Sequence, residues 1–183
     1  MAAWIWIFII LAGGLFALKI FYVLGIALVL PFTQGALYVS TSRAKITAFI
    51  NAVPMKADQT LVDLGCGDGR VLREAQKRYG VHTIGYEINP VAYLKARLFS
   101  FGSNKIKIRR ENFWEADLSD ADVVFCYLYP DVMKRLAVKL AAGLKPGAVI
   151  VSSNFSIPGL VPSRVLRLES SWHNDPMYVY HLK

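Results

Sequence analysis

Asp63-Leu64-Gly65-Cys66-Gly67-Asp68-Gly69 is the stretch whose residue types and spacing carry the most chemistry. Glycines at alternate positions permit a tight turn and let a ligand lie against bare backbone. A nicotinamide-dinucleotide loop has the spacing Gly-x-Gly-x-x-Gly and seats a pyrophosphate on the helix that follows. Here Arg70 stands where the third glycine of that pattern would be. The carboxylates of Asp63 and Asp68 flank the turn, and they would repel a pyrophosphate. They suit a phosphate-free ligand bearing ammonium and sulfonium charge, which is the chemistry of S-adenosylmethionine. Gly65, Cys66, Gly67 and Gly69 would form its backbone floor.

Further candidates follow at intervals along the chain. Glu87, in Tyr86-Glu87-Ile88-Asn89, is placed to accept hydrogen bonds from both ribose hydroxyls, with Ile88 beside it. A helix-capping carboxylate ahead of Pro90 is the alternative for Glu87. Asn112 would meet the adenine amino group, and Phe113 or Trp114 would cover the ring; an ordinary loop with a core aromatic is the alternative. Tyr127-Leu128-Tyr129-Pro130 would face the methyl group. Methyl transfer is an in-line displacement at carbon, so the protein mainly aligns the partners and excludes water. The two tyrosines could wall an amine by cation–π contact before it loses its proton. The stretch lacks the Asn/Asp-Pro-Pro-Tyr motif of enzymes that methylate adenine amino groups or the glutamine amide. Cys66 and Cys126 lie far apart and His82, His173 and His181 are scattered, so no metal site is expected.

Alternating strands and helices must position these residues. Ser42 caps an expected helix over Arg43–Ala52, with Ile46, Phe49 and Ile50 on one face. Strands are expected at Thr60–Leu64, Thr83–Glu87, Lys105–Arg109, Val123–Tyr127 and Ala148–Ser153. Helices are expected at Arg70–Tyr79, from Pro90 to about Phe101, and from Pro130 to about Ala142. Arg164–Glu169 and Met177–His181 read as a closing antiparallel pair. The pattern predicts an α/β fold: a Rossmann-like, doubly wound seven-strand sheet, which binds ligands at the carboxyl ends of its strands.

Hydrophobic residues make up 55% of the 183, a surplus concentrated at the front. From Ala2 to Phe32 the only charged side chain is Lys19. A span of about 20 apolar residues suffices to cross a bilayer. Trp4–Leu24 fits, as does a tilted helix filling most of Trp4–Leu30, and Pro31, Gln34 and Gly35 are expected to end it. A signal peptide fits poorly, because no Lys or Arg precedes the apolar run. The expected organisation is a membrane-spanning helix over 1–34, a linking segment over 35–57 and the α/β domain over 58–183. Arg43, Lys45 and Lys56 follow the span and none precedes it, so a single pass with the domain on the cytoplasmic side is expected. The net charge of +8 would draw the domain toward anionic headgroups, and nucleic acid is not an expected partner. The run from Lys105 to Arg110 reads chiefly as a solvated strand face, with contact to an acidic partner or anionic lipid as the alternative.

The chain resembles the small seven-strand lysine methyltransferases that act on the adenine nucleotide translocase and the ATP synthase c-subunit, with their prokaryotic relatives. The resemblance rests on the apolar N-terminus, Tyr38-Val39-Ser40-Thr41, Val62–Arg70 with Gly85–Pro90, and Tyr127–Met133. It departs at Ser40, where that family usually has proline, and at Asn112, where an acid is common. The resemblance implies an enzyme that uses S-adenosylmethionine to methylate lysines of a protein substrate, with membrane proteins among the candidates. It implies that Tyr38–Thr41 folds over the cofactor and helps form the target-lysine channel. It thus adds Tyr38 and Thr41 to Tyr127, Tyr129 and Pro130 as catalytic candidates. The residues alone read Tyr38–Thr41 as a linker. Two other readings stay open: methylation of a small molecule or lipid, such as a quinone or aminophospholipid, and a binding module without catalysis.

Overall fold

A computed structural model describes residues 3–33, 40–167 and 175–182. The chain divides into two compact units, Met1–Leu37 and Tyr38–Lys183. The first contains α1, Ala3–Thr33. Within it Trp4–Gly25 is long and apolar enough to cross a membrane, and none of it is buried by protein. The helix continues past Pro31 to Thr33 rather than ending at the proline. A proline near a helix end removes only one backbone donor. Gln34 and Gly35 lie outside the described residues.

The second unit is built on one seven-stranded sheet. Its strands are β1 (Thr60–Leu64), β2 (His82–Tyr86), β3 (Ile106–Arg109), β4 (Val123–Cys126), β5 (Val149–Ser153), β6 (Arg164–Leu166) and β7 (Met177–His181). Their order across the sheet is β3-β2-β1-β4-β5-β7-β6. The first five run parallel, and β7 pairs antiparallel with both β5 and β6. The helices are α2 (Arg43–Ala52), α3 (Arg70–Tyr79), α4 (Pro90–Phe99) and α5 (Met133–Gly143).

The chain leaves β1 toward β2 and leaves β4 toward β5, so the winding reverses between β1 and β4. That reversal opens a crevice at the carboxyl ends of these two strands. Right-handed crossovers then place α3 and α4 on one face and α5 on the other. The core follows this division. Phe49, Leu72, Phe125 and Val151 pack on the first face, and Val124, Leu136, Leu140 and Ile150 on the second. All of β4 is buried, as its apolar sequence requires for a central parallel strand.

Boundaries differ from expectation in a few places, each with a local cause. β2 ends at Tyr86, and Glu87 keeps one ladder bond, from its N–H to the Arg109 carbonyl at 3.0 Å. β4 ends at Cys126, one residue before Tyr127. Pro130 opens a 3₁₀ turn over Pro130–Val132, and α5 starts only at Met133. α4 stops at Phe99 with Ser100 as its C-cap. β6 covers Arg164–Leu166, while Glu169 lies outside the described residues.

Candidate active site

The turn after β1 is built by three glycines in the left-handed region, Gly65 at φ 82°, Gly67 at φ 58° and Gly69 at φ 74°. Side chains rarely adopt these angles, which explains the alternate glycines. The N–H groups of Gly65 and Cys66 both donate to the Tyr86 carbonyl at 2.9 Å, tying the turn to the end of β2. Cys66 points down into the sheet, where the turn packs on Gly85. A Cβ at Gly85 would lie 2.6 Å from the Cys66 sulfur and 2.5 Å from Leu72 Cδ1. Burial pushes the Cys66 thiol well up, so it serves as packing rather than as a nucleophile.

Glu87 is buried and clasps two loops. One carboxylate oxygen accepts from the Gly67 N–H at 2.8 Å and the other from the Asn89 N–H at 2.7 Å. The carboxylate keeps acceptor capacity for a further donor. Asn89, and not Glu87, caps α4, accepting from the Val91 and Ala92 N–H groups at 2.9 and 3.1 Å. Asp63 lies at the end of β1, 3% exposed. Burial first, then the charges of Glu87 and Asp68, push its carboxyl well above the usual range. Burial raises Glu87 as well, against the lowering effect of its backbone hydrogen bonds. Asp68 behaves differently. Burial would raise it, but the Arg70 guanidinium binds it bidentately at 2.6 to 3.1 Å and holds it below the usual range. Asp63 and Glu87 are therefore the site acids that lack a cation among the described residues, and Asp68 is already paired.

These groups meet at a narrow cleft at the carboxyl ends of β1 and β4. Of the candidates, Thr41, Asp63, Gly65, Cys66, Gly67, Asp68 and Tyr127 line it. Gly69 caps the start of α3, and Glu87 joins the cleft through its bond to Gly67. Ile88, Asn112 and Phe113 follow β2 and β3 on the same sheet edge, outside that lining. The Asn112 oxygen caps the turn Phe113–Glu115 by accepting from the Trp114 N–H at 3.2 Å. Phe113 and Trp114 pack against each other with ring centroids 4.7 Å apart and planes tilted by 44°. Beyond β4, Leu128 is buried while Tyr127 and Tyr129 are half-buried and Pro130 is exposed. Tyr38 lies outside the described residues.

Several further residues at the site lie beyond the set that the sequence suggests. Lys45 of α2 is buried, and its amine sits 4.9 Å over the Tyr127 ring. It also hydrogen-bonds Asn154 Oδ1 and pairs with Asp175 at 3.1 Å. Asn154 donates to the Tyr127 hydroxyl at 3.0 Å, from a left-handed conformation at φ 72°. Burial, then the Asp175 charge, raise the Tyr127 phenol, which stays protonated at neutral pH. The one sequence signal for Lys45 is its position on the apolar stripe of α2, beside Ile46 and Phe49.

The donor set fits S-adenosylmethionine. Two desolvated carboxylates without a cation and a glycine-floored cleft answer a ligand with positive charge and no phosphate. Comparison with known proteins decides the family. The ANTKMT methyltransferase domain model matches residues 63–164. The chain belongs to the ANTKMT methyltransferase family. A protein-lysine N-methyltransferase of Saccharolobus islandicus is 34% identical over 78% of this chain and 91% of its own length. The mouse adenine nucleotide translocase lysine N-methyltransferase is 36% identical over 58% of this chain. This chain spans 48% of that mouse relative and 52% of the human lysine N-methyltransferase of the ATP synthase c-subunit. A solved RNA methyltransferase of Salinibacter ruber, in complex with S-adenosylhomocysteine, superposes with a TM-score of 0.73 at 31% identity. The match covers 79% of this chain and 94% of that one. This ANTKMT-family chain is accordingly an S-adenosylmethionine-dependent methyltransferase, and the cleft at β1 and β4 is its candidate cofactor site.

Proposed function

We propose that the chain is a membrane-anchored protein-lysine N-methyltransferase, with α1 as a single membrane span and the α/β unit as a domain on the cytoplasmic side. One observation carries the lysine assignment: Tyr127, which lines the cofactor cleft, holds an alkylammonium against its ring, that of Lys45. The same ring would steady an incoming lysine by cation–π contact. The lysine-modifying relatives point the same way.

The bound cofactor supplies an electrophilic methyl group on a sulfonium. Glu87 would bind the ribose hydroxyls, and Asp63 would hold positive charge in the cleft. Asn112, Phe113 and Ile88 would border the adenine. Thr41, with Tyr38, would close the cleft from the α2 side. Tyr127, Tyr129 and Pro130 would wall the acceptor. A lysine leaving water for this partly desolvated mouth gives up its proton more readily, and the neutral amine is the nucleophile. No separate general base is assigned. The domain limits 1–34, 35–57 and 58–183 belong to this proposal.

Labelled S-adenosylmethionine incubated with the full chain and membranes of its host tests the reading. Label in a protein band, recovered as methyl-lysine after hydrolysis, is expected. Label in the organic extract would favour a lipid or quinone acceptor. Label in RNA would favour the substrate class named for the Salinibacter structure. Cofactor binding without transfer to any of these would leave a binding module.

A further inference from the structure

We propose that α4 and the adjoining β3 edge form a docking surface for an anionic lipid bilayer, a membrane contact separate from α1. α4 is an inverted helix. It buries only the two small side chains Ala92 and Ala96. Its large apolar residues point outward: Leu94 is 64% exposed, Leu98 71%, and Phe101 in the following turn 92%. A helix of a soluble domain places its large apolar groups inward. Outward clusters of this kind mark an interaction surface.

Charge selects the partner. Residues 90–110 contain Lys95, Arg97, Lys105, Lys107, Arg109 and Arg110 and no acid. Apolar side chains beside Lys and Arg suit an interface of acyl chains and anionic headgroups, and Glu111, 3.7 Å from Arg109, offsets only one of those cations. A protein partner would more often be met by mixed charge. A groove runs beside the patch, between α4 and β3, bordered by Arg97, Ser100, Phe101 and Lys107. The Ser100 hydroxyl is buried without a hydrogen-bond partner among the described residues. A headgroup phosphate in this groove would meet two cations and could accept that hydroxyl's hydrogen bond. β3 is also an edge strand, so no further strand of the described sheet covers this side.

α1 matters to this contact only in bringing the domain to a membrane. Co-flotation of the full chain with vesicles tests the anchor separately. The docking test uses the full chain carrying Phe101→Cys, with an environment-sensitive fluorophore on the new thiol. Both native cysteines are buried and would label poorly. Val138→Cys, at an exposed position of α5 on the opposite sheet face, is the control. Reconstitution uses phosphatidylcholine vesicles with and without phosphatidylglycerol, each doped with brominated lipid as quencher.

Quenching at position 101 but not 138, dependent on phosphatidylglycerol and reversed by salt, is expected. Arg97→Gln and Lys107→Gln should each lower the docked fraction relative to the free fraction by about fivefold. Unchanged cofactor binding in these variants shows that the fold is intact. Absence of quenching at 101 in anionic vesicles would overturn the proposal, as would equal quenching at 101 and 138. Thiol cross-linking between copies through position 101, without quenching, would overturn it in favour of self-association.

Discussion

Asp63 and Glu87 set the electrostatics of the candidate cofactor cleft. Both are desolvated acids, raised by burial, and neither is paired with a base among the described residues. Glu87→Ala should weaken S-adenosylmethionine binding by roughly 1–3 kcal/mol, the cost of losing hydrogen bonds to a charged group. It also frees the Gly67 and Asn89 N–H groups, so Glu87→Gln is the better-behaved variant for calorimetry. Unchanged affinity in both would remove Glu87 from the cofactor site. The raised acids also make binding pH-dependent. In the free protein they hold protons above the usual carboxylate range, and a bound cation favours the ionised form. Affinity should therefore rise with pH through that window, with protons released on binding. Calorimetry in two buffers of different ionisation enthalpy reads the release directly, and equal heats in both would mean that the acids are already ionised. Asp68 has the opposite sign. Its lowered carboxyl stabilises the fold above the usual carboxylate range, and this is lost as pH falls through the folded-state value.

The turn after β1 works because two elements approach unusually closely. Gly85 on β2 leaves room for Cys66 and Leu72, and no larger residue fits without a shift. Gly85→Ala should destabilise the protein by about 1–3 kcal/mol through overpacking. Adding Cys66→Ala should recover only part of this, because Leu72 Cδ1 remains 2.5 Å from the new methyl. Urea unfolding of the two variants checks the order. Such local patterns are largely legible in the sequence. The Gly-x-Gly-x-Gly turn, the Ser42 cap and the apolar runs of β1 and β4 each announce themselves within a few residues. The two Tyr127 partners Asn154 and Lys45 are not legible. They lie 109 positions apart, and only the sheet and α2 bring them together. The pairing of Asp68 with Arg70 is hidden too, although the two are near neighbours. Nothing in spacing alone says whether a guanidinium turns toward its neighbour or toward solvent. α5 starts later than its sequence suggests for a related reason: Pro130 fits the first turn of an α-helix and a 3₁₀ turn equally well.

At the scale of the molecule, the two units draw on separate sources of stability. The sheet, its helices and both core clusters lie within the second unit, and no described core residue comes from α1. A chain beginning at Tyr38 should therefore fold cooperatively and bind S-adenosylmethionine. Free cofactor at about a hundred times Kd should stabilise it by about 2.7 kcal/mol, seen as a rise in Tm. Its pH dependence follows from Asp63 and Glu87. The folded apo form retains protons that the unfolded chain has released, so apo stability should fall as pH rises from the usual carboxylate range through the raised folded values. Bound cofactor should flatten that fall by compensating the charge. Membrane affinity separates the remaining contributions. Without α1 the shortened chain should no longer float with phosphatidylcholine vesicles. It should still associate with phosphatidylglycerol vesicles, weakly and in a salt-sensitive way, because Leu94, Leu98, Phe101 and the surrounding cations stay in place. Flotation at low and high salt distinguishes the two contributions. Binding to neutral vesicles by the shortened chain would mean that α1 is not the principal anchor. Loss of cofactor binding together with cooperative unfolding would show that the second unit needs the first to fold.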